Sequence, residues 1–287
     1  MVSKAQPSSP VNREIDQLSE KEREFLTSYA ASISTTATVS EDEQPPAYTD
    51  SSDRAVPHTH HDQFQPGKSF IIKSRGIGLI RLPFPSSELE IEIQHPDGSL
   101  AYISKREKRC SGDAVLSCPN RGPLLSTTYF FGPGRDPVVK LLPLNHDEKE
   151  NSPAEEVHEL VIGGKLISRT STFEMPDGSK FEWRYVRLGY DGGGRTKALV
   201  LEKIIADPTG GAEQRKRVAQ LLRTADTLAE GSSKRNAGAG GELRLDSGAD
   251  LELDEAVIVG TCVLALKREI DRRRAIQFIV LGGMAGS

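Results

Sequence analysis

From about Phe70 onward, large apolar residues fall at every second position in short runs. Leu89, Ile91 and Ile93 alternate with Glu90 and Glu92, the period of a strand with one dry face and one wet one. Comparable runs occupy 69–73, 76–82, 99–104, 113–117, 126–131 and 137–142. Pro96-Asp97-Gly98 separates the run at 89–94 from that at 99–104, and Pro176-Asp177-Gly178 separates 165–174 from 179–189. Both triplets suit tight hairpin turns. Along 179–189, Phe181, Trp183 and Tyr185 share one face while Lys180, Glu182 and Arg184 share the other. A further strand, 197–205, follows the glycines at 192–194. About ten strands joined mostly by hairpins predict an antiparallel meander.

Two segments read as helices. Over 213–229, Val218, Leu221, Leu222, Ala225 and Leu228 form one apolar face, with Arg215, Lys216, Arg217 and Arg223 on the solvated side. This predicts an amphipathic helix. Residues 256–266 are apolar on every side, and Lys267-Arg268-Glu269 follow at once. A helix without a polar face is enclosed by protein or by lipid. Eleven residues are too few for a bilayer, which needs roughly 20. The next apolar stretch, 275–281, is shorter and lies beyond Arg272, Arg273 and Arg274. Burial inside protein is therefore expected, and the basic run Lys267 to Arg274 is read as ending that helix, where cations complement its dipole.

A strand-rich domain with one all-apolar helix at its C-terminal end has a simple solution. The sheet closes into a barrel, which removes its edges, and the helix fills the lumen. On two stretches the chain resembles the tubby C-terminal-like superfamily, which includes tubby proteins, LURP-one-related proteins and phospholipid scramblases. One is Leu253-Asp254-Glu255-Ala256-Val257-Ile258-Val259-Gly260-Thr261-Cys262-Val263-Leu264-Ala265-Leu266, which looks like that family's core helix. The other is the hairpin from Met175 to Arg184, similar to that of fungal members. The resemblance covers about 67–275 and implies a mainly β (α+β) fold, a closed antiparallel barrel of about twelve strands around a hydrophobic C-terminal helix. An insert at 143–157, and the 213–229 helix with its loop 231–241, depart from the family pattern. The phosphoinositide-binding basic pair of tubby proteins has no counterpart that aligns here, and the scramblase cysteine cluster is absent.

Charge divides the chain of 287 residues. Its formal net charge is -4, which gives no general attraction to nucleic acid. Residues 1–66 hold five basic and eleven acidic groups, net -6, leaving +2 for 67–287. This acidic segment is rich in Ser, Thr, Pro and Gln and poor in large apolar residues, so disorder is expected. A short helix near 19–31, started by a Ser19/Glu22 capping box, is the exception. No secretory signal follows Met1, and the acids argue against a mitochondrial presequence. A reducing compartment is expected, cytoplasmic or nuclear, where the protein is cytoplasmic or peripheral to membranes. Three cysteines fit ordinary thiols at 110 and 118 and a core residue at 262.

The sharpest motif lies in the acidic segment. Pro45-Pro46-Ala47-Tyr48 is a PPxY ligand for WW domains. Its prolines favour polyproline II, and Tyr48 supplies a second anchor. WW domains of this preference resemble those of HECT-type ubiquitin ligases, which implies an adaptor or substrate role. His58, His60 and His61 lack the four organised ligands of a structural metal site. Asp191 to Lys197 lacks Walker spacing and precedes a strand. His95, His146 and His158 belong to no catalytic motif, and no cofactor is implied. The basic cluster Lys105, Arg106, Lys108 and Arg109 is a candidate anion- or lipid-binding loop. The expected function is that of a non-enzymatic interaction scaffold, with peripheral binding of anionic phospholipid as the alternative.

Overall fold

The structure is a computed structural model. It describes residues 64–78, 88–108, 112–129, 136–142, 158–164, 169–189, 195–206 and 213–284. The chain divides into Met1–Pro57 and His58–Ser287, and every described residue belongs to the second unit. The PPxY motif, the 19–31 helix, the His58–His61 tract, the insert 143–157, the 191–194 loop, Arg109, Cys110 and His146 lie outside the described residues.

Twelve strands form one sheet in which every pairing is antiparallel. The first seven are β1 (Pro66–Ile72), β2 (Glu90–Gln94), β3 (Leu100–Lys105), β4 (Ala114–Cys118), β5 (Gly122–Thr128), β6 (Val138–Leu141) and β7 (Glu159–Val161). The rest are β8 (Ser171–Glu174), β9 (Lys180–Gly189), β10 (Arg195–Ile205), β11 (Gln214–Leu222) and β12 (Gly241–Asp246). Apart from β7 and β8, neighbours in sequence are neighbours in the sheet, and one further pairing is long-range. β1 lies against β12, with Phe70 opposite Leu243. The sheet's two ends, β7 and β8, meet at a single bridge in which Gly163 and Thr172 exchange backbone hydrogen bonds of 2.8 and 3.1 Å. The sheet is thus a nearly closed barrel, as the sequence predicts.

The predicted alternation is what the barrel uses. Ile91 and Ile93 are buried while Glu90 and Glu92 are exposed, and Phe181 and Trp183 point into the core. Both predicted hairpin turns form by one device. Gly98 and Gly178 take positive φ, +87° and +82°, a region that glycine enters without strain. The preceding aspartates, Asp97 and Asp177, accept the Ser99 and Ser179 N–H groups at 2.9 Å in each case.

After a short 3₁₀ turn, Ala249–Leu251, the chain enters α1 (Glu255–Met284). Asp254 caps it, its Oδ1 accepting the Ala256 N–H at 2.8 Å. Residues 256–271 are buried without interruption, so this length of helix fills the barrel. Gly260 is required by closeness, since a Cβ there would stand 2.8 Å from Leu125 Cδ1. A polar link crosses the dry core: Trp183 Nε1 donates to Thr261 Oγ1 at 3.0 Å, while that hydroxyl donates back to Val257 O at 2.7 Å.

Three expectations are corrected. The predicted helix at 213–229 is instead strand β11, followed by turns. Ala219 pairs with Leu201 and Arg217 with Glu202, so Val218 is an extra, bulged residue. The bulge breaks the two-residue period and places Val218 and Ala219 side by side in the core. Leu222 packs on the other face with Ala198 and Val200. Apolar residues at 218, 219, 221 and 222 thereby imitate a helical face. Secondly, Lys267 to Arg274 do not end the helix, which continues to Met284. Thirdly, the barrel begins slightly before residue 67: Pro66 opens β1, and Gln65 N donates to Asp246 Oδ1 at 2.8 Å.

Two measurements test this architecture. Thr261→Val keeps the side-chain volume and strands the buried Trp183 N–H, so the denaturation midpoint should fall by the equivalent of about 1–3 kcal/mol. An unchanged midpoint would mean that Trp183 and Thr261 are not linked. Glu252, just beyond the 3₁₀ turn, accepts Lys203 at 2.7 Å and Lys216 at 2.6 Å. These bonds hold its carboxyl below the ordinary 4.5. A depressed folded pKa contributes stability that is present above pH 4.5 and is lost as pH falls through the folded value. Glu252→Gln should therefore lower the melting temperature at pH 6 and flatten its decline on the acid side.

Candidate functional site

Successive residues of a helix point about 100° apart, so in an enclosed helix each charged side chain meets a different wall. Lys267, Arg268, Glu269 and Asp271 are all buried, at 4, 6, 9 and 2 % exposure. A buried charge needs a partner or it is neutralised. Lys267 Nζ donates to Asp271 Oδ1 at 2.5 Å, one helical turn on, and lies 5.4 Å from the centre of the Tyr129 ring. Burial lowers the Lys267 pKa, and Asp271 opposes that shift. Burial and the neighbouring Asp271 carboxylate raise that of Tyr129.

Arg268 faces the seam of the barrel. Its Nη1 donates to Gly163 O and Ser171 Oγ, both at 3.1 Å, and its Nη2 to Gly164 O at 2.5 Å. One guanidinium thus bridges the chain just beyond β7 to the start of β8, beside the lone bridge that closes the sheet. Gly164 has a φ of +132° and would bring a Cβ within 3.2 Å of Arg268 Nη2, which accounts for glycine there.

Glu269, the next residue, faces a different wall. Both its oxygens accept Arg223 Nη2 at 3.1 Å, and Oε2 accepts Gly238 N at 2.9 Å. Burial pushes the Glu269 carboxyl up to about 7, against the pull of the Gly238 N–H. Further along, Arg273 Nη1 donates to Ile77 O at 3.1 Å and Arg235 O at 2.8 Å. The charged half of the helix therefore holds the seam, the 237–239 loop and the 73–78 segment in place.

The basic cluster at 105–109 is not brought together as one surface. Lys105 is exposed and pairs with Glu90 at 2.8 Å, and Lys108 is exposed. Arg106 turns inward and is 4 % exposed, its Nη1 donating to Glu88 O at 3.3 Å. Burial lowers its pKa. The signal for this was present: Tyr102, Ser104 and Arg106 continue one alternating row, and all three are buried. Arg106 and Lys267, with the hydroxyl residues Ser104 and Thr127, line a cavity of about 20 Å³.

The remaining candidates fall as follows. Cys262 is fully buried, and burial pushes its thiol up to about 12. Cys118 ends β4, just before the turn to β5; burial opposes, but the N–H groups of Asn120 and Arg121 and the Arg121 side chain outweigh it and lower its pKa. His95 lies 5.4 Å from the Phe70 ring, and His158 is exposed. Among the described residues, no three of His, Cys, Asp and Glu are grouped as metal ligands. Nor is any helix among them long and apolar enough to cross a membrane. Comparison of the chain with protein-family models, curated proteins and solved structures gives no match.

The seam clamp has a local readout. Arg268→Met removes the donors to the Gly163 and Gly164 carbonyls and the Ser171 hydroxyl, and should cost about 3 kcal/mol of stability. The Gly163 and Thr172 amides should lose hydrogen-exchange protection before the other strands do. Protection that falls evenly across the barrel would remove Arg268 from this role.

Proposed function

We propose that the chain is a non-enzymatic interaction scaffold: a tubby-like barrel joined to an acidic segment that presents a WW-domain ligand. The observation that carries the barrel half of this reading is the filled lumen. Residues 256–271 occupy the interior that a ligand-carrying barrel of this kind would leave open. The cavity beside Arg106, at about 20 Å³, is far smaller than the several hundred Å³ of a small-molecule site. A barrel packed in this way offers its outer surface for binding.

The ligand half rests on sequence. Pro45, Pro46 and Tyr48 supply a polyproline II segment and one aromatic anchor, which suit the grooves of WW domains. The partner class is a WW-domain protein of the kind found in HECT-type ubiquitin ligases, with the chain as adaptor or substrate. No nucleic acid is proposed as a partner, and the expected location is cytoplasmic. The alternative, an anionic phospholipid surface bound through 105–109, has less support. Arg106 is turned into the core and Lys105 is paired with Glu90, so two of its four cations are already engaged.

The test is binding of the full chain, and of a peptide spanning 40–53, to a panel of WW domains. Tyr48→Ala should weaken binding roughly ten-fold or more, equivalent to about 1.4 kcal/mol. Equal binding by the variant, or binding to none of the panel, would overturn the reading.

A further inference from the structure

Alternation along β10 and β11 decides which side chains leave the lumen. Leu199, Leu201 and Leu221 point into the core, so Ala198, Val200 and Glu202 on β10, with Gln220 and Leu222 on β11, point outward. Elsewhere on this barrel an outward apolar residue is wet: Val115 on β4 and Val161 on β7 are 37 and 56 % exposed. The β10–β11 wall is dry instead. Ala198 and Val200 are 0 % exposed, Leu222 1 %, Glu202 3 % and Gln220 7 %. Ala198, Val200 and Leu222 form a hydrophobic cluster of their own, against which Val186 and Leu188 of β9 pack. Arg184 and Arg215 close on Glu202 at 2.7 and 3.4 Å, which accounts for that end of the patch. Leu222 is taller than Ala198 and Val200, so they cannot hide it. Its dryness requires a layer above the sheet.

One contact shows where such a layer starts. Arg217 stands opposite Glu202 and shares its outward face, and its guanidinium lies 5.8 Å from the centre of the Phe64 ring. β12 lies between β1 and β11, so this contact draws the chain just before β1 across β12 toward the dry wall. His58–Gln63, which lead into Phe64, belong to the same unit as the barrel. Six extended residues cover about 20 Å, and the wall from Arg217 to Leu222 is about 17 Å long.

We infer that the outer wall of β10 and β11 is the docking site of the chain's own residues 58–63, which run on from Phe64 as a strap. In an extended strap alternate side chains share a face, so Asp62, His60 and His58 follow Phe64 onto the wall. Asp62 there complements the cations Arg217 and Arg244, the latter opposite Gln220 on β12. Imidazoles, with an apolar body and a polar tip, suit a wall that is apolar at Val200 and Leu222 and polar at Gln220. The inference is independent of the WW-ligand reading, because neither Pro45, Pro46 nor Tyr48 takes part.

The experiment reads the accessibility of a thiol placed in the wall. Val200→Cys and, separately, Ala198→Cys are made in the full chain, and maleimide labelling at that position is followed by peptide mass spectrometry. Val115→Cys, on the wet side of the barrel, is the reference. With 58–63 intact, both wall thiols should label about ten-fold more slowly than the reference, or slower still. Replacing 58–63 by alternating Gly and Ser should remove most of that difference while melting stays cooperative. Three results overturn the inference. Wall thiols that label as fast as the reference leave the wall bare. Protection that survives the replacement assigns the cover to another segment, such as the β9–β10 connection. Protection that fades on dilution assigns it to a second copy. If the replaced chain does not fold, a disulfide decides in the chain carrying His60→Cys with either wall cysteine: intramolecular formation on mild oxidation supports the strap, and its absence with both overturns it.

Discussion

Enclosure of α1 is the constraint on which the other features depend. Residues 256–271 have wall on all sides, so the helix has no face on which a poorly matched side chain can be left in water. Its first half answers with apolar residues. Burying each Val, Leu or Ile in full stabilises by about 1.5–3 kcal/mol, and the Thr261 hydroxyl satisfies the single indole N–H that enters this region. The second half answers with charge: Lys267 and Asp271 pair with each other along the helix, while Arg268 and Glu269 are matched by groups on the walls that their helical angles reach.

The two halves do different work. The apolar half supplies most of the driving force for closure, which is non-directional and would tolerate small shifts of the helix. The charged half is directional. Arg268 can reach Gly163, Gly164 and Ser171 together only at one rotation and depth of the helix. The same holds for Glu269 between Arg223 and Gly238. Burial gives the attraction, and the hydrogen-bonded charges set the register.

Much of this was legible in the sequence, and what was missed has identifiable causes. The strands at 89–94 and 99–104 and both Pro-Asp-Gly turns follow from a period of two and from local turn chemistry, which depend on neighbours only. Residues 256–266 announced a buried helix because no polar residue interrupts them. Lys267 onward was read as that helix's end because charge ordinarily marks solvent, whereas here the partners come from β7, β8 and the 223–238 segment, far away in sequence. Val218 misled for a different reason: one bulged residue shifts the apolar pattern from a two-residue period to a false helical one. Arg106 was recoverable from the row Tyr102-Ser104-Arg106, but its dense basic neighbours hid that alternation.

The pairing of β1 with β12 sets an order on the making of this protein. Pro66 stands opposite Asp246, so some 180 residues must be synthesised before β1 acquires its second neighbour. Until then one edge of the first strand is open, and the apolar row of Phe70 and Ile72 has no helix to cover it. Contacts this distant in sequence form slowly, and an unpaired apolar edge invites pairing with other chains. A ribosome carrying the unfinished chain therefore exposes a sticky half-barrel until α1 emerges, and chaperone demand should peak at that stage of translation.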